Sequence, residues 1–173
     1  MKLPIRYLTL IALAGVLVAL DQVVKIYVHS SFHLGETVTV IPGFFNITYV
    51  RNPGAAFGFL AKTAPAFREA FFLIVPPLAM IIIIQALKSV ADSDKPQTIA
   101  LSLIFGGALG NYIDRLRFSY VIDYLDFHYQ GRLTWPAFNV ADMSIVSGVI
   151  LLFLIMFLSQ LKNRQIKNQQ ASS

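Results

Sequence analysis

The sequence predicts an all-α integral membrane protein with four transmembrane helices and a small extracytoplasmic β-hairpin or cradle. Three observations carry that expectation. Of 173 residues, 56% are hydrophobic and 13% charged, with a mean hydropathy of +0.64, whereas a typical soluble domain carries about 25% charged residues. Uncharged runs approach the roughly 20 apolar residues a helix needs to cross a bilayer core, and they recur along the chain. A polar stretch with strand-like alternation separates the first two of them. A net charge of +5 and a pI of about 9.6 would point a soluble protein toward nucleic acid, but so little polar surface argues for no nucleic-acid partner. Cysteine is absent, which excludes disulfides, thiolate nucleophiles and Cys-bound zinc or iron–sulfur clusters.

One membrane domain, 1–173, accounts for the pattern, with spans at about 5–28, 70–88, 96–114 and 142–161. The first span carries Asp21 and Lys25 inside its apolar pattern. Lys2, Arg6 and Ala12-Leu13-Ala14 resemble a secretory signal, but the apolar run continues past Ala14 as far as Asp21, so no cleavage is expected. In the extracytoplasmic segment 29–68, residues 36–41 and 45–50 alternate around Pro42-Gly43, the signature of a short hairpin. A two-stranded hairpin is marginal alone, so this one should rest on the helix ends or the membrane surface. The following loop, Arg51 to Phe59, carries apolar contact residues around Phe57 and Phe59 that would exclude water. Pro76-Pro77 interrupts the second span, a place for a kink. Gly106 and Gly110 give the third span a small-residue step for close helix approach. The polar tail 162–173 should be frayed.

An even number of spans places both tails on one side. Those tails hold Lys2, Arg6, Lys162, Arg164 and Lys167 and no acid, which the positive-inside rule assigns to the cytoplasm. At 1.5 Å rise per residue, Asp21 falls in the outer half of the bilayer. Asp114 then ends the third span, Asp123 and Asp126 lie in the next loop, and Asp142 opens the fourth span. Five aspartates thus gather at the outer face, where an acid within a span is a functional candidate by default. Each also has a plain structural reading. Asp142 suits a helix N-terminus, Asp114 could pair with Arg115 or Arg117, and Asp21 with Lys25 at i, i+4.

The chemistry open to such a chain is narrow. H-E-x-x-H and G-x-S-x-G are both absent, and His29, His33 and His128 lack ligand-like spacing, so neither a metal nor any other cofactor is expected. A carboxylate pair remains, one member acting as general base on water and the other as general acid. Asp123 and Asp142 flank the loop before the fourth span and are the natural pair, with Asp126 a competitor. The alternatives are a small transporter or channel with a carboxylate ion path, and a non-catalytic assembly factor.

Five blocks resemble bacterial lipoprotein signal peptidase (signal peptidase II), in that family's order along nearly the whole chain. They are Asp21-Gln22-Val-Val-Lys25, Arg51-Asn52-Pro-Gly54-Ala55-Ala56-Phe57, Gly107-Ala108-Leu109-Gly110-Asn111-Tyr-Ile-Asp114-Arg115, Val121-Ile122-Asp123-Tyr124 and Phe138-Asn139-Val-Ala141-Asp142. Tyr124 stands where the family often has Phe. The resemblance implies an aspartyl endopeptidase that cleaves diacylglyceryl-modified prolipoproteins immediately before the lipidated cysteine. It implies Asp123 and Asp142 as the catalytic dyad, and Asp21, Lys25, Asn52, Gly54, Asn111, Asp114, Arg115 and Asn139 as substrate-binding or supporting residues. The expected partners are the prolipoprotein substrates and membrane lipid, the expected state a monomer in the bacterial inner membrane.

Overall fold

The computed structural model describes residues 3–54, 63–130 and 133–171. Four long helices dominate: α1 (Ile5–Ser31), α2 (Pro65–Lys88), α3 (Lys95–Phe118) and α4 (Val140–Ala171). Strands β1 (Thr37–Ile41), β2 (Phe45–Asn52), β3 (Val121–Tyr129) and the two-residue β4 (Leu133–Thr134) form an antiparallel sheet in that order. Among the described residues three helices, α1, α2 and α4, are long and apolar enough to cross a membrane. The third expected span, α3, is a helix of 24 residues that falls short of that measure. The reason is its position. It packs against α1, α2 and α4, so its inward stripe can carry Thr98, Ser102, Gly106, Gly107, Gly110, Asn111 and Asp114 instead of lipid-facing side chains.

Helix α1 buries Leu10, Ala14, Asp21, Lys25 and Val28, a stripe at steps of three, four and seven that follows one face of a helix. That stripe is apolar at both ends and ionic between them. At one end Leu10 joins Ile83, Leu87, Val90 and Leu101 in a core shared by α1, α2 and α3. At the other, Val28 packs with Tyr49, Ile122 and Tyr124 of the sheet, which is how the hairpin gains the support it lacks alone. Helix α2 runs through Pro76 and Pro77 without a break.

The hairpin forms where the alternation places it, its turn closed by Phe44 N–H to the Ile41 carbonyl at 3.0 Å and by Gly43 at φ +74°. That φ is a left-handed value that suits glycine. The segment around Asp123 corrects the sequence expectation: it is strand β3, not loop, paired with β2 through Val50↔Asp123, Arg51↔Ile122 and Asn52↔Val121. Leu125 and Phe138 then bond both ways, at 2.8 and 3.0 Å, and bring the chain back to the start of α4. The tail is also corrected, since α4 continues to Ala171 and is not frayed after the expected span. Ala55, Ala56, Phe57 and Phe59, on which the water-excluding loop was expected, lie outside the described residues.

Candidate active site

The site is built around the first turn of α4. A helix start leaves its first N–H groups without intrahelical partners, and here each finds a different one. Asn139 caps the helix, its Oδ1 accepting from the Asp142 N–H at 2.9 Å, while Asp142 Oδ2 accepts from the Asn139 N–H at 3.2 Å. This is a reciprocal capping box with an aspartate in the third position. The Val140 N–H donates to Tyr124 Oη at 3.3 Å and the Ala141 N–H to Asp21 Oδ1 at 3.0 Å. The turn is therefore held by α1 and β3 as well as by its own cap.

Strand β3 delivers Asp123 to the same place. Its Oδ1 accepts from Asn139 Nδ2 at 2.7 Å and its Oδ2 from Asn52 Nδ2 at 2.9 Å. Asn52 is in turn fixed by the Gly54 N–H, which donates to its Oδ1 at 3.1 Å. Asp142 Oδ1 accepts from Asn111 Nδ2 at 2.7 Å. Asn139 and Asn111 are themselves joined, Nδ2 to Oδ1 at 3.2 Å. The two carboxylates thus hang on one linked set of amides, each oxygen holding a donor. Asp123 is almost fully buried, and that burial, followed by repulsion from Asp142, pushes its carboxyl up to about 7. The amides of Asn52 and Asn139 pull the other way, because a hydrogen bond to the ionised form favours it.

Beneath the pair lies a buried ionic triad. Lys25 Nζ sits 2.8 Å from Asp21 Oδ2 and 3.0 Å from Asp114 Oδ2, and donates to Asn111 Oδ1 at 2.9 Å. All three charged side chains are 1% exposed, a state that requires such complete pairing. Asp114 also accepts from the Ile122 N–H at 3.0 Å, tying the triad to β3. Arg115 crosses from α3 to the Gly54 carbonyl at 3.2 Å and its guanidinium lies 4.5 Å from the Phe72 ring centre.

All ten residues singled out in the sequence thus fall in one connected cluster. Asp126 does not join it. That carboxylate accepts instead from Asn46 Nδ2 at 2.8 Å, its partner across the β2–β3 pairing. Asp114 pairs with Lys25 rather than with its neighbours Arg115 or Arg117 among the described residues. Sequence reasoning missed Gln22, whose Nε2 donates to Asp114 Oδ1 at 2.8 Å and to the Gly110 carbonyl at 3.1 Å. Its place one residue after a buried acid was the available signal. Tyr124 was also missed as the acceptor of a helix-start N–H.

Comparison with known proteins shows which family the chain resembles. The profile of the signal peptidase (SPase) II family matches residues 13–158. Lipoprotein signal peptidase of Syntrophus aciditrophicus is 50% identical over 147 residues, covering 85% of this chain and 91% of that protein. The lipoprotein signal peptidase of Desulforapulum autotrophicum is 44% identical over 135 residues, covering 78% and 83%. A bacterial membrane enzyme solved by the in meso method at 2.3 Å resolution superposes with a TM-score of 0.79 at 37% identity, over 90% of both chains. With the family's profile spanning all but the chain ends, the protein belongs to the signal peptidase II family.

Proposed function

We propose that the chain is an aspartyl endopeptidase of the bacterial inner membrane. It removes the signal peptide from diacylglyceryl-modified prolipoproteins, cutting immediately before the lipidated cysteine. The observation that carries the reading is the convergence of Asp123 and Asp142, from a strand and a helix start, on Asn139, whose side-chain amide donates to Asp123 and whose backbone N–H donates to Asp142. Nothing favours the ion-path alternative: Asp21, Asp114, Asp123 and Asp142 form one linked cluster rather than a chain of acids along the helices.

The mechanism follows from a pair that holds one proton between its two members. The ionised carboxylate takes a proton from water as the water oxygen attacks the scissile carbonyl. The protonated carboxyl then gives its proton to the amide nitrogen as the carbon–nitrogen bond breaks. The pair ends with one proton, on the opposite member, ready for the next turnover. Asp123, pushed up to about 7, is suited to hold the proton near neutral pH. Asn52, Asn111 and Asn139 keep both carboxylates oriented, and the Lys25 triad fixes the elements that carry them.

In this reading α1, α2, α3 and α4 are four spans of a single membrane domain, monomeric and without a cofactor. Both tails face the cytoplasm and the dyad faces outward at headgroup level, where a lipid-anchored substrate presents its scissile bond. Cleavage of a diacylglyceryl prolipoprotein by the purified protein tests it, alongside Asp123→Asn and Asp142→Asn. Each substitution should lower the rate by on the order of 10³-fold or more. Unchanged cleavage by either folded variant would reject the dyad, and loss of wild-type activity in EDTA would reject metal-free chemistry.

A further inference from the structure

Two carboxylates that work as a pair also repel each other, and here they sit on separate elements, Asp123 on β3 and Asp142 at the start of α4. Something must hold those two backbones at a fixed separation. The residues immediately before the two aspartates show what does. The Ala141 N–H donates to Asp21 Oδ1 at 3.0 Å, and the Ile122 N–H donates to Asp114 Oδ2 at 3.0 Å. Asp21 and Asp114 are the two acids that share Lys25, at 2.8 and 3.0 Å from its Nζ. One ammonium thus stands midway on a path from the backbone beside Asp142 to the backbone beside Asp123.

The third contact of that ammonium reaches the side chains. Lys25 Nζ donates to Asn111 Oδ1 at 2.9 Å, and Asn111 Nδ2 donates to Asp142 Oδ1 at 2.7 Å. An ammonium has three N–H donors, and all three end on groups that touch the pair or the backbone beside it. The close approach is built in as well: a Cβ at Gly110 would lie 2.8 Å from Asp21 Oδ2 and 3.3 Å from the Ala141 Cβ. Stability alone does not account for such a cluster, because apolar packing of similar volume is often at least as stable as a buried ionic triad. What the ions add is short, directional contact. Asp21 and Lys25 lie one turn apart on α1, so both arms start from one helix.

We propose that Lys25 is a positioning residue that sets the spacing of the aspartate pair, with Asp21 and Asp114 as its two arms and Asn111 as its hold on the Asp142 side chain. It opposes the repulsion between the carboxylates, which would otherwise spread β3 from the start of α4. Burial, and then that repulsion, push the Asp123 carboxyl up to about 7. The charged groups around Asp123 are Asp142 of α4, Lys25 of α1 and Arg115 of α3. The proposal rests on the reading of Asp123 and Asp142 as the reacting pair, but the spacing can be measured without cleavage.

The test measures the electrostatic coupling of the pair in the full chain, purified in detergent. The titration of Asp123 is followed by its carboxyl infrared band, assigned by its loss in Asp123→Asn, with and without Asp142→Asn. Removing the Asp142 charge should lower the Asp123 midpoint by about 1–2 pH units in the otherwise native chain. Asp21→Asn with Lys25→Gln keeps the net charge of the cluster and an acceptor for the Ala141 N–H, but glutamine is too short to span both arms. In that background the difference should shrink by roughly a third or more, as the carboxylates separate and water enters. Taking a difference cancels the direct effect of the lost lysine charge on Asp123. Gly110→Ala keeps every charged group while pushing Asp21 aside; it should shrink the difference too, and it decides the matter if the double variant fails to fold. Leu10→Ala, in the core at the other end of α1, loosens the bundle and should leave the difference intact. For prolipoprotein cleavage, kcat of the two cluster variants should fall roughly 100-fold with KM unchanged, the cost of a misplacement of about 1 Å. An undiminished difference in both variants, an equal loss in Leu10→Ala, or native kcat in both would overturn the proposal. Absence of cleavage by the wild-type protein would instead reject the peptidase reading, and the titration difference would still decide the spacing.

Discussion

Asn139 and Asp142 cap each other across the first turn of α4, Asn139 Oδ1 to the Asp142 N–H at 2.9 Å and Asp142 Oδ2 to the Asn139 N–H at 3.2 Å. The same Asn139 side chain donates to Asp123 at 2.7 Å. One residue therefore starts the helix, orients one carboxylate by its backbone and holds the other by its amide. Asn139→Ala should remove the two functions of the side chain, the cap and the hold on Asp123, and leave the backbone one. Loss of the cap alone costs about 1 kcal/mol, and loss of an oriented donor at a reacting group costs roughly 100-fold in rate. Thermal unfolding and the cleavage rate, measured together, separate the two. A rate loss with unchanged unfolding would show that the cap is carried by Asp142 alone.

The pH dependence follows from the raised carboxyl of Asp123. A pair that must hold one proton stops working once the second is lost, so cleavage should fall as pH rises through about 7. Asn52 donates to Asp123 and holds that value down. Asn52→Ala should therefore move the descending limb to higher pH while lowering the maximal rate. A limb that stays in place would mean that another group sets it.

The same shift has a stability consequence. The ordinary value for an aspartate is 3.8, and in the fold Asp123 sits near 7. Between those values the folded protein holds a proton that the unfolded chain has released, so stability falls as pH rises across that window and the loss is complete above it. Below 3.8 both states are protonated and the group contributes nothing. Asp123→Asn should flatten this part of the stability–pH curve. Unfolding midpoints at several pH values in one detergent provide the check.

Lys25 pairs with two buried acids at once, at 2.8 and 3.0 Å. Lys25→Met should strand Asp21 and Asp114 and destabilise the fold by about 3–5 kcal/mol, the usual result of breaking a buried pair from one side. Adding Asp21→Asn should recover part of the loss, because the change removes one of the stranded charges. Additive losses in the double variant would show that Asp21 and Lys25 are not energetically coupled.

How far this arrangement is legible in sequence depends on the kind of signal. Apolar runs are long and chemically uniform, so α1, α2 and α4 stand out, and the alternation around Pro42-Gly43 gives the hairpin. The five aspartates stand out because acids in apolar surroundings are costly. Strand β3 was missed because its residues, Val121 to Tyr129, mix acids with aromatics and were weighed as carriers of chemistry. Yet Val121, Asp123, Leu125 and Phe127 alternate with Ile122, Tyr124 and Asp126 across β-branched and aromatic positions, a strand signal. The separation of Asp126 from Asp123 depends on pairing between β2 and β3, which no local pattern encodes. The choice of Lys25 rather than Arg115 for Asp114 is likewise set by how α1 meets α3.

That meeting of helices is set by glycines, and of these the sequence reading left out Gly148. Gly106 lies against Ala14 of α1 and Gly110 against Asp21, as the small-residue step suggested. The seam between α3 and α4 rests instead on Gly107, where an added Cβ would overlap the Ala141 carbonyl, and on Gly148, where it would lie 2.6 Å from the Ala100 carbonyl. Both obstacles are backbone, so neither side chain motion nor a rotamer change can relieve them. Gly107→Ala and Gly148→Ala should each force the helices apart and cost about 1–3 kcal/mol. They should differ in function. Gly107 adjoins Ala141 and lies one turn before Asn111, so its displacement should also loosen the hold of Asn111 on Asp142 and reduce cleavage. Gly148 lies two turns past Asp142 and should spare it more. Gly15→Ala, with no heavy atom within 4 Å of the new Cβ, serves as the control and should be neutral or stabilising by up to about 1 kcal/mol from helix propensity. Equal activity in Gly107→Ala and Gly15→Ala would mean that the seam can open without moving the carboxylates.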